Sequence, residues 1–332
     1  PYPVVSGYLS GVGLIITGAT PVHPSSTSRF TRSIRNWDDS IIAPYRRLSA
    51  ALHDFGARVF AQLNHSGAQG GSEGSFRYVV APSPVDAELS KETPHALDVD
   101  EIQEIVSAFA AAAARARAGG LDGVELHGGH GNLIQQFLSP LTNRRTDAYG
   151  GNLENRLRFA REVITAVRRA VGADFVVGMR FSGEEHEPGG LTVAEGRVIA
   201  CELTGSGDLD YLNVTAGRDL SSWSLAMHYA PMYLPSLHLR YLARGIKEAV
   251  SVPVLAVGGI VDPGDAESIL AAGDADLVGM TRAQIADPEL ANKAARGAFA
   301  EIRYCVGANE GCLGRLFRGL PITCIHNPTS GR

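Results

Sequence analysis

The sequence predicts an α/β protein built as a (β/α)8 TIM barrel, its first strand missing from the 332 residues or disguised within them. Three observations lead there. Short β-branched runs alternate with helical patterns, the rhythm of parallel strands joined by crossover helices. Most strand candidates are continuously apolar, as expected when both faces of a sheet are covered. No G-x-G-x-x-G follows any of them, and Gly11, Gly13 and Gly18 lack that spacing, which disfavours an open doubly wound sheet.

Taken in order, the strand candidates are 13–17, 58–63, 123–127, 175–181, 211–214, 253–257 and 276–280. Between the second and third, Asp98 and Glu101 carry a capping-box signature. Ile102, Ile105, Val106, Phe109 and Ala113 then form one apolar face, and Gly119 stops the helix. Asn152 opens the next helix, with Leu153, Leu157, Ala160, Val163, Ile164 and Val167 on one side and Gly172 at its end. Asp262-Pro263 and Asp287-Pro288 each read as an N-cap followed by proline in the first helical position, and Gly273 and Gly297 close those helices. Seven βα units emerge without an internal linker, and such a right-handed series closes at eight strands. Residues 1–300 are expected to form the barrel and 301–332 a cysteine-bearing extension packed on it. Cys201, on a helix face, is expected in the core. Two long excursions, 69–94 and 216–235, fall on the C-terminal face, where barrel active sites sit.

Composition narrows the class. There are 30 basic and 35 acidic residues, a net charge of −5, and no basic stripe of the kind nucleic acid demands. No apolar run reaches the roughly 18–20 residues of a membrane span, and residues 1–18 lack a basic leader. A cytoplasmic enzyme acting on a small molecule, without nucleic-acid or membrane partners, is expected.

Polar groups gather at the C-terminal ends of the strands. Gln62 is followed by Asn64 and His65; His127 leads into His130; Arg180 and Asn213 lie near the ends of later strands. A guanidinium inside an apolar strand needs an anionic or electron-rich partner. Gly258 and Gly259 after one strand, and Gly279 with Arg282 after the last, form either a phosphate cradle or simple turns. His127 and His130, at i and i+3 with glycines between, lack the i, i+4 helical spacing of a zinc site, and fit hydrogen-bond donation to a substrate or cofactor oxygen.

The stretches AQLNHSG, VELHGGHGNLIQQFLSPLTNRRTDAYGGNLENRLRF and DADLVGMTRAQIADPEL resemble the Old Yellow Enzyme family of FMN oxidoreductases. CVGANEGCLGRLFRGLPITCIHNP resembles the branch containing 2,4-dienoyl-CoA reductase and trimethylamine dehydrogenase. The resemblance implies FMN at the barrel mouth, with Ala19 and Gln62 at the flavin ring and Arg180 facing its N1/O2 side. It further implies Gly258, Gly259, Gly279 and Arg282 at the phosphate, and His127 and His130 as donors to a substrate carbonyl. Two residues beyond the second donor the family carries a proton-donating tyrosine; here stands Asn132, which cannot act as a general acid. His228 becomes a catalytic candidate by resemblance, while Trp223, Tyr229 and Tyr233 either line the pocket with it or pack its loop. The branch motif C-x2-C-x3-C-x11-C holds an iron–sulfur cluster. Cys305, Cys312 and Cys324 match three positions as implied metal ligands, and Ala308 occupies the second of the four, leaving open a three-thiolate cluster or three free thiols.

The leading expectation is hydride transfer between reduced flavin and an activated C=C bond, in an α,β-unsaturated carbonyl or an enoyl or dienoyl thioester. NAD(P)H is the implied electron donor. Oxidative N-demethylation of a methylated amine is the alternative, towards which Asn132 tilts and from which the histidine pair tilts back. A flavin-binding subunit without its own catalysis is a third. The resemblance also implies a chain longer than 332 residues, with a preceding strand, and either a homo-oligomer or a partner domain carrying FAD and NAD(P)H.

Overall fold

A computed structural model describes residues 11–26, 34–72, 77–86, 91–218 and 221–331. Its main sheet is parallel. It runs β1 (Leu14–Ile16), β3 (Arg58–Asn64), β6 (Gly123–Gly128), β7 (Val176–Ser182), β8 (Tyr211–Thr215), β9 (Val254–Ala256) and β10 (Leu277–Val278), while β2 (Thr20–Pro21) extends the place of β1 beside β3. Neighbours in space follow chain order, so there is no reversal of strand order as in a doubly wound sheet. The chain has the (β/α)8-type barrel architecture. Among the described residues, β1 pairs only with β3 and β10 only with β9. The excursion after β3 contains a small parallel pair, β4 (Val80–Ala81) and β5 (His95–Ala96).

Helices cover the outside: α1 (Ile42–His53), α2 (Val99–Ala118), α3 (Leu133–Leu138), α4 (Leu153–Val171), α5 (Val193–Thr204), α6 (Ser222–His228), α7 (Arg240–Lys247), α8 (Pro263–Ala271), α9 (Thr281–Ala286) and α10 (Leu290–Ala295). The start signals act as their chemistry requires. Asp98 accepts from the Glu101 N–H at 2.9 Å while the Glu101 carboxylate accepts from the Asp98 N–H at 2.8 Å. Asn152 caps α4, which ends on Gly172 at φ 75°, and Asp262 caps α8 with Pro263 in the first turn. A second capping box, Thr192 with Glu195, starts α5.

Two expectations are corrected. Asp287 closes α9 rather than opening the next helix, which starts at Leu290. Its fully buried carboxylate accepts from the Lys293 ammonium at 2.6 Å and from the N–H groups of Arg303 (2.9 Å) and Glu289 (3.1 Å), and so ties the following segment to the barrel. Cys201 is exposed, not core: its thiol lies on the outer side of α5, facing the Ala249 carbonyl at 3.0 Å.

Alternation along each strand separates two apolar regions. Val59, Ala61, Leu63, Val124, Leu126, Val177, Met179, Phe181, Leu212 and Val214 pack outward under the helices with Phe109, Leu157 and Phe159. The opposite faces point into the barrel, where Phe60, Tyr211 and Leu255 form a separate cluster with Leu14, Ile16, Val176 and Val257. Two glycines make room for the aromatic rings. A Cβ at Gly123 would press on Phe60, and one at Gly178 would overlap the ring of Tyr211.

Gly178→Ala should therefore cost about 1–3 kcal/mol through overpacking, read as a lower urea midpoint. Gly245→Ala, inside α7 where a Cβ would meet only the Arg197 guanidinium at an ordinary 3.9 Å, should raise the midpoint by reducing the freedom of the unfolded chain.

Candidate active site

Register sets the interior in layers. Gln62 lies opposite Glu125, Glu125 opposite Gly178, and Gly178 opposite Tyr211. Two residues further along, His127 lies opposite Arg180 and Arg180 opposite Asn213. Apolar residues fill the lower barrel, and polar ones line the upper end of the same inward faces.

Glu125 is fully buried and holds this set together. It accepts from Gln62 Nε2 at 2.7 Å, Tyr211 OH at 2.9 Å and Asn213 Nδ2 at 2.9 Å. Burial, followed by the nearby carboxylate, pushes the Tyr211 phenol well above its ordinary value, so it remains a donor. Arg180 sits above Glu125. Burial draws its pKa down and the Glu125 charge opposes this, while its Nε has no hydrogen-bond partner among the described residues.

His127 and His130 stand at the mouth with ring centroids 5.2 Å apart, edge to face. The His130 Nε2 is 3.0 Å from Thr215 Oγ1, and its backbone N–H faces Ser182 Oγ at 3.3 Å. The Asn132 amide nitrogen lies 3.2 Å from His127 Nε2, and His127 Nδ1 is without a partner among the described residues. Burial drives both histidines well below the ordinary imidazole value. Arg180 and then His228 add to this at His127; His228, Arg180 and His127 do so at His130. Both rings are neutral at neutral pH. In the layer beside them, burial and then His23 take His65 down to about 3, and its Nδ1 accepts from the Gly67 N–H at 3.1 Å.

The loop after β8 closes over the pair. His228, at the end of α6, stacks face to face on His130, and Tyr229 stacks on His228 with centroids 3.7 Å apart. Trp223 and Tyr233 are exposed instead, so only part of this aromatic group meets the site. His130 itself has φ 57°, held by Gln69 Nε2 donating to its carbonyl at 2.8 Å and a backbone bridge to Arg218. Beneath lies a buried group in which Arg218 reaches Ser139 Oγ at 3.1 Å and Glu185 at 3.5 Å, while Gln135 and Ser139 also donate to Glu185.

The remaining expected contacts occupy the C-terminal rim. Ala19 is exposed after β1. Gly258 and Gly259 follow β9 with φ 110° and 68°, conformations that L side chains resist. A Cβ on Gly259 would meet the His238 ring at 3.0 Å. Gly279 follows β10. Arg282 donates from Nη1 to the Ala230 carbonyl at 2.6 Å and to Asn309 Oδ1 at 2.7 Å, which binds the rim loop to the C-terminal segment. Its charge is felt at both His238 and Cys312. Two recessed nitrogens without partners among the described residues, Arg180 Nε and His127 Nδ1, beside a glycine rim of left-handed backbone, fit an anionic, electron-rich ring cofactor.

Cys305, Cys312 and Cys324 line one cleft with Ala308, Asn309 and Arg282. Burial raises the Cys312 thiol, the Leu313 N–H and Arg282 oppose this, and Cys305 adds to the rise. Among the described residues no three His, Cys, Asp or Glu side chains converge on one metal position.

Reasoning from the sequence overlooked Glu125 and the Arg218–Glu185 pair. A carboxylate inside the apolar run after Gly123 was the available signal for the first. Nothing local marks the second, whose members meet only through the fold.

The family model described as NADH:flavin oxidoreductase / NADH oxidase matches residues 8–301. The chain is 42% identical to a metal reductase of Desulforamulus reducens over 323 residues, covering 97% of this chain and 47% of that protein. It is 42% identical to an NADH oxidase of Thermoanaerobacter brockii, with 97% and 49% covered, and 39% identical to a multifunctional alkene reductase/demethylase of Caballeronia cordobensis, with 96% and 46% covered. The chain thus spans about half the length of these curated relatives. Among solved structures, a 2-naphthoyl-CoA reductase complex superposes with TM-score 0.92 at 26% identity, covering 99% of this chain and 51% of that one. Histamine dehydrogenase from Rhizobium sp. 4-9 does so with TM-score 0.89 at 31% identity, covering 99% and 48%.

Replacing Glu125 by Leu strands three buried donors and leaves Arg180 without its counter-charge, and should cost about 3–5 kcal/mol in urea unfolding. Glu125→Gln should cost less. Because His65, His127 and His130 stay neutral when folded but take protons near pH 6.5 when unfolded, stability is full above about pH 6.5 and falls as pH drops below it. His65→Gln should flatten that slope by about 1.4 kcal/mol per pH unit between about 6 and 4, measured as urea midpoints at fixed salt.

Proposed function

The chain belongs to the NADH:flavin oxidoreductase / NADH oxidase family, and on that premise we propose an FMN-dependent oxidoreductase that transfers hydride to an activated C=C bond. Its substrate is an α,β-unsaturated carbonyl or an enoyl or dienoyl thioester, and NADH or NADPH is the donor of reducing equivalents. One observation carries the reading: two neutral, buried imidazoles 5.2 Å apart face the barrel mouth beside a guanidinium whose Nε lacks a partner. Neutral paired donors suit a carbonyl oxygen that gains negative charge as hydride arrives at the β-carbon. The names of the alkene reductase/demethylase relative and the acyl-thioester reductase neighbour agree with it.

FMN, when bound, supplies the hydride. The chain supplies the setting. Arg180 would offer a fixed positive charge to the ring as it is reduced, and the Glu125 charge eases the burial of that guanidinium. Gln62 and Ala19 would border the ring, and Gly258, Gly259, Gly279 and Arg282 the phosphate. His127 and His130 bind and polarise the carbonyl. His228, stacked on His130, would by the family resemblance be the group that passes a proton to the α-carbon. The Arg218–Glu185 group keeps the loops carrying His130 and Gly217 in register.

Oxidative N-demethylation is the second reading, favoured by Asn132, since taking hydride from a carbon beside nitrogen requires no proton-donating side chain. The shared cleft of Cys305, Cys312 and Cys324 speaks for a three-thiolate cluster and their lack of convergence against it; iron and sulfide analysis of the purified protein decides. No helix among the described residues is long and apolar enough to cross a membrane. We place the enzyme in the cytoplasm, as a homo-oligomer or with a partner domain that feeds electrons.

Anaerobic turnover with FMN and NADH or NADPH tests the function. Consumption of cyclohexenone or of an enoyl thioester supports ene reduction, whereas formaldehyde release from an N-methylamine with the enones inert supports the second reading. Arg180→Gln should lower the rate of ene reduction by about 100-fold and weaken FMN retention on gel filtration.

A further inference from the structure

The residue standing where the family resemblance calls for a tyrosine has a definite hydrogen-bonding role. Asn132 is the N-cap of α3 and is buried. Its amide nitrogen lies 3.0 Å from the Gly129 carbonyl and 3.2 Å from His127 Nε2. A backbone carbonyl only accepts, so the amide group facing it is the NH2. One of its protons goes to Gly129 and the other is directed at His127 Nε2. That nitrogen must then offer its lone pair.

We propose that Asn132 is a positioning residue that fixes the neutral His127 ring with its proton on Nδ1, making Nδ1–H the donor presented to the substrate oxygen. This rests on the ene-reduction reading for the identity of the acceptor, though not for the tautomer. Nδ1 is buried and has no partner among the described residues, and a buried N–H is costly to leave unpaired, so it is made to meet a ligand. His130 differs. Its Nε2 faces the Thr215 hydroxyl, which donates or accepts equally well, so its tautomer is free to adapt. The pair is therefore unequal: one donor is set in advance, and the other adjusts. An amide at position 132 gives up the proton that a tyrosine would deliver and gains control of its neighbour.

The test is 15N NMR of the FMN-loaded protein labelled at histidine, with His127→Asn to assign the ring. Protonated and lone-pair ring nitrogens differ widely in shift. The expected wild-type pattern at neutral pH is a protonated Nδ1 and an unprotonated Nε2 for His127. Asn132→Asp, which offers an acceptor to Nε2, should move the proton there, and Asn132→Leu should give averaged shifts from both tautomers. In kinetics with cyclohexenone, Asn132→Leu should raise KM about tenfold, roughly the loss of one well-made hydrogen bond, with a smaller change in kcat. A wild-type His127 protonated on Nε2, or charged, overturns the proposal, as does a pattern indifferent to Asn132→Asp. If a variant fails to fold, the wild-type spectrum decides alone. The expected spectrum together with inert enones would sink the substrate reading and leave the tautomer assignment standing.

Discussion

A single carboxylate in the barrel interior sets the terms for everything above it. Glu125 has no access to solvent, and burying a charge of that kind is tolerable only when its oxygens are fully bonded and a counter-charge is near. The partners come from two strands, Gln62 from β3 and Tyr211 and Asn213 from β8, on either side of Glu125 on β6. Side chains alternate strictly along a strand, so a slip of one residue would turn Glu125 into the apolar layer under the helices. The carboxylate thus enforces the register that also places His127 beside Arg180.

Above that layer, chemistry depends on neutral polarity. Arg180 supplies a fixed positive charge beneath the mouth, and its presence helps to keep His127 and His130 unprotonated. The stacked His228 and Tyr229 shield the pair from water, which strengthens each of these interactions. Arg282 links this rim to the cysteine-bearing segment through Asn309, so the two ends of the functional face are mechanically joined.

Much of the framework was legible in local patterns. The capping residues Asp98, Asn152 and Asp262 act within a few residues of themselves, so spacing was enough to find them. Asp287-Pro288 carried the same signal and misled, because its carboxylate is taken by Lys293 and by Arg303, sixteen positions further on. Cys201 misled for a related reason: the apolar period of α5 does not say which side of a thiol the neighbouring helix covers. The site was half legible. His127, His130, Gln62 and Arg180 could be named because polar groups at the ends of apolar strands stand out. Glu125 stood out equally, but its value depends on partners 63, 86 and 88 positions away.

The sequence by itself determined the alternation of strand and helix, hence the parallel barrel, and the residue types gathered at its mouth. It did so because periodicity, caps and turn glycines are local properties of the chain. Tertiary structure alone decided which of those groups are paired, which are neutral and which nitrogen of His127 faces the Asn132 amide. Those properties belong to burial and to contacts between residues distant in sequence, and no single stretch of chain contains them.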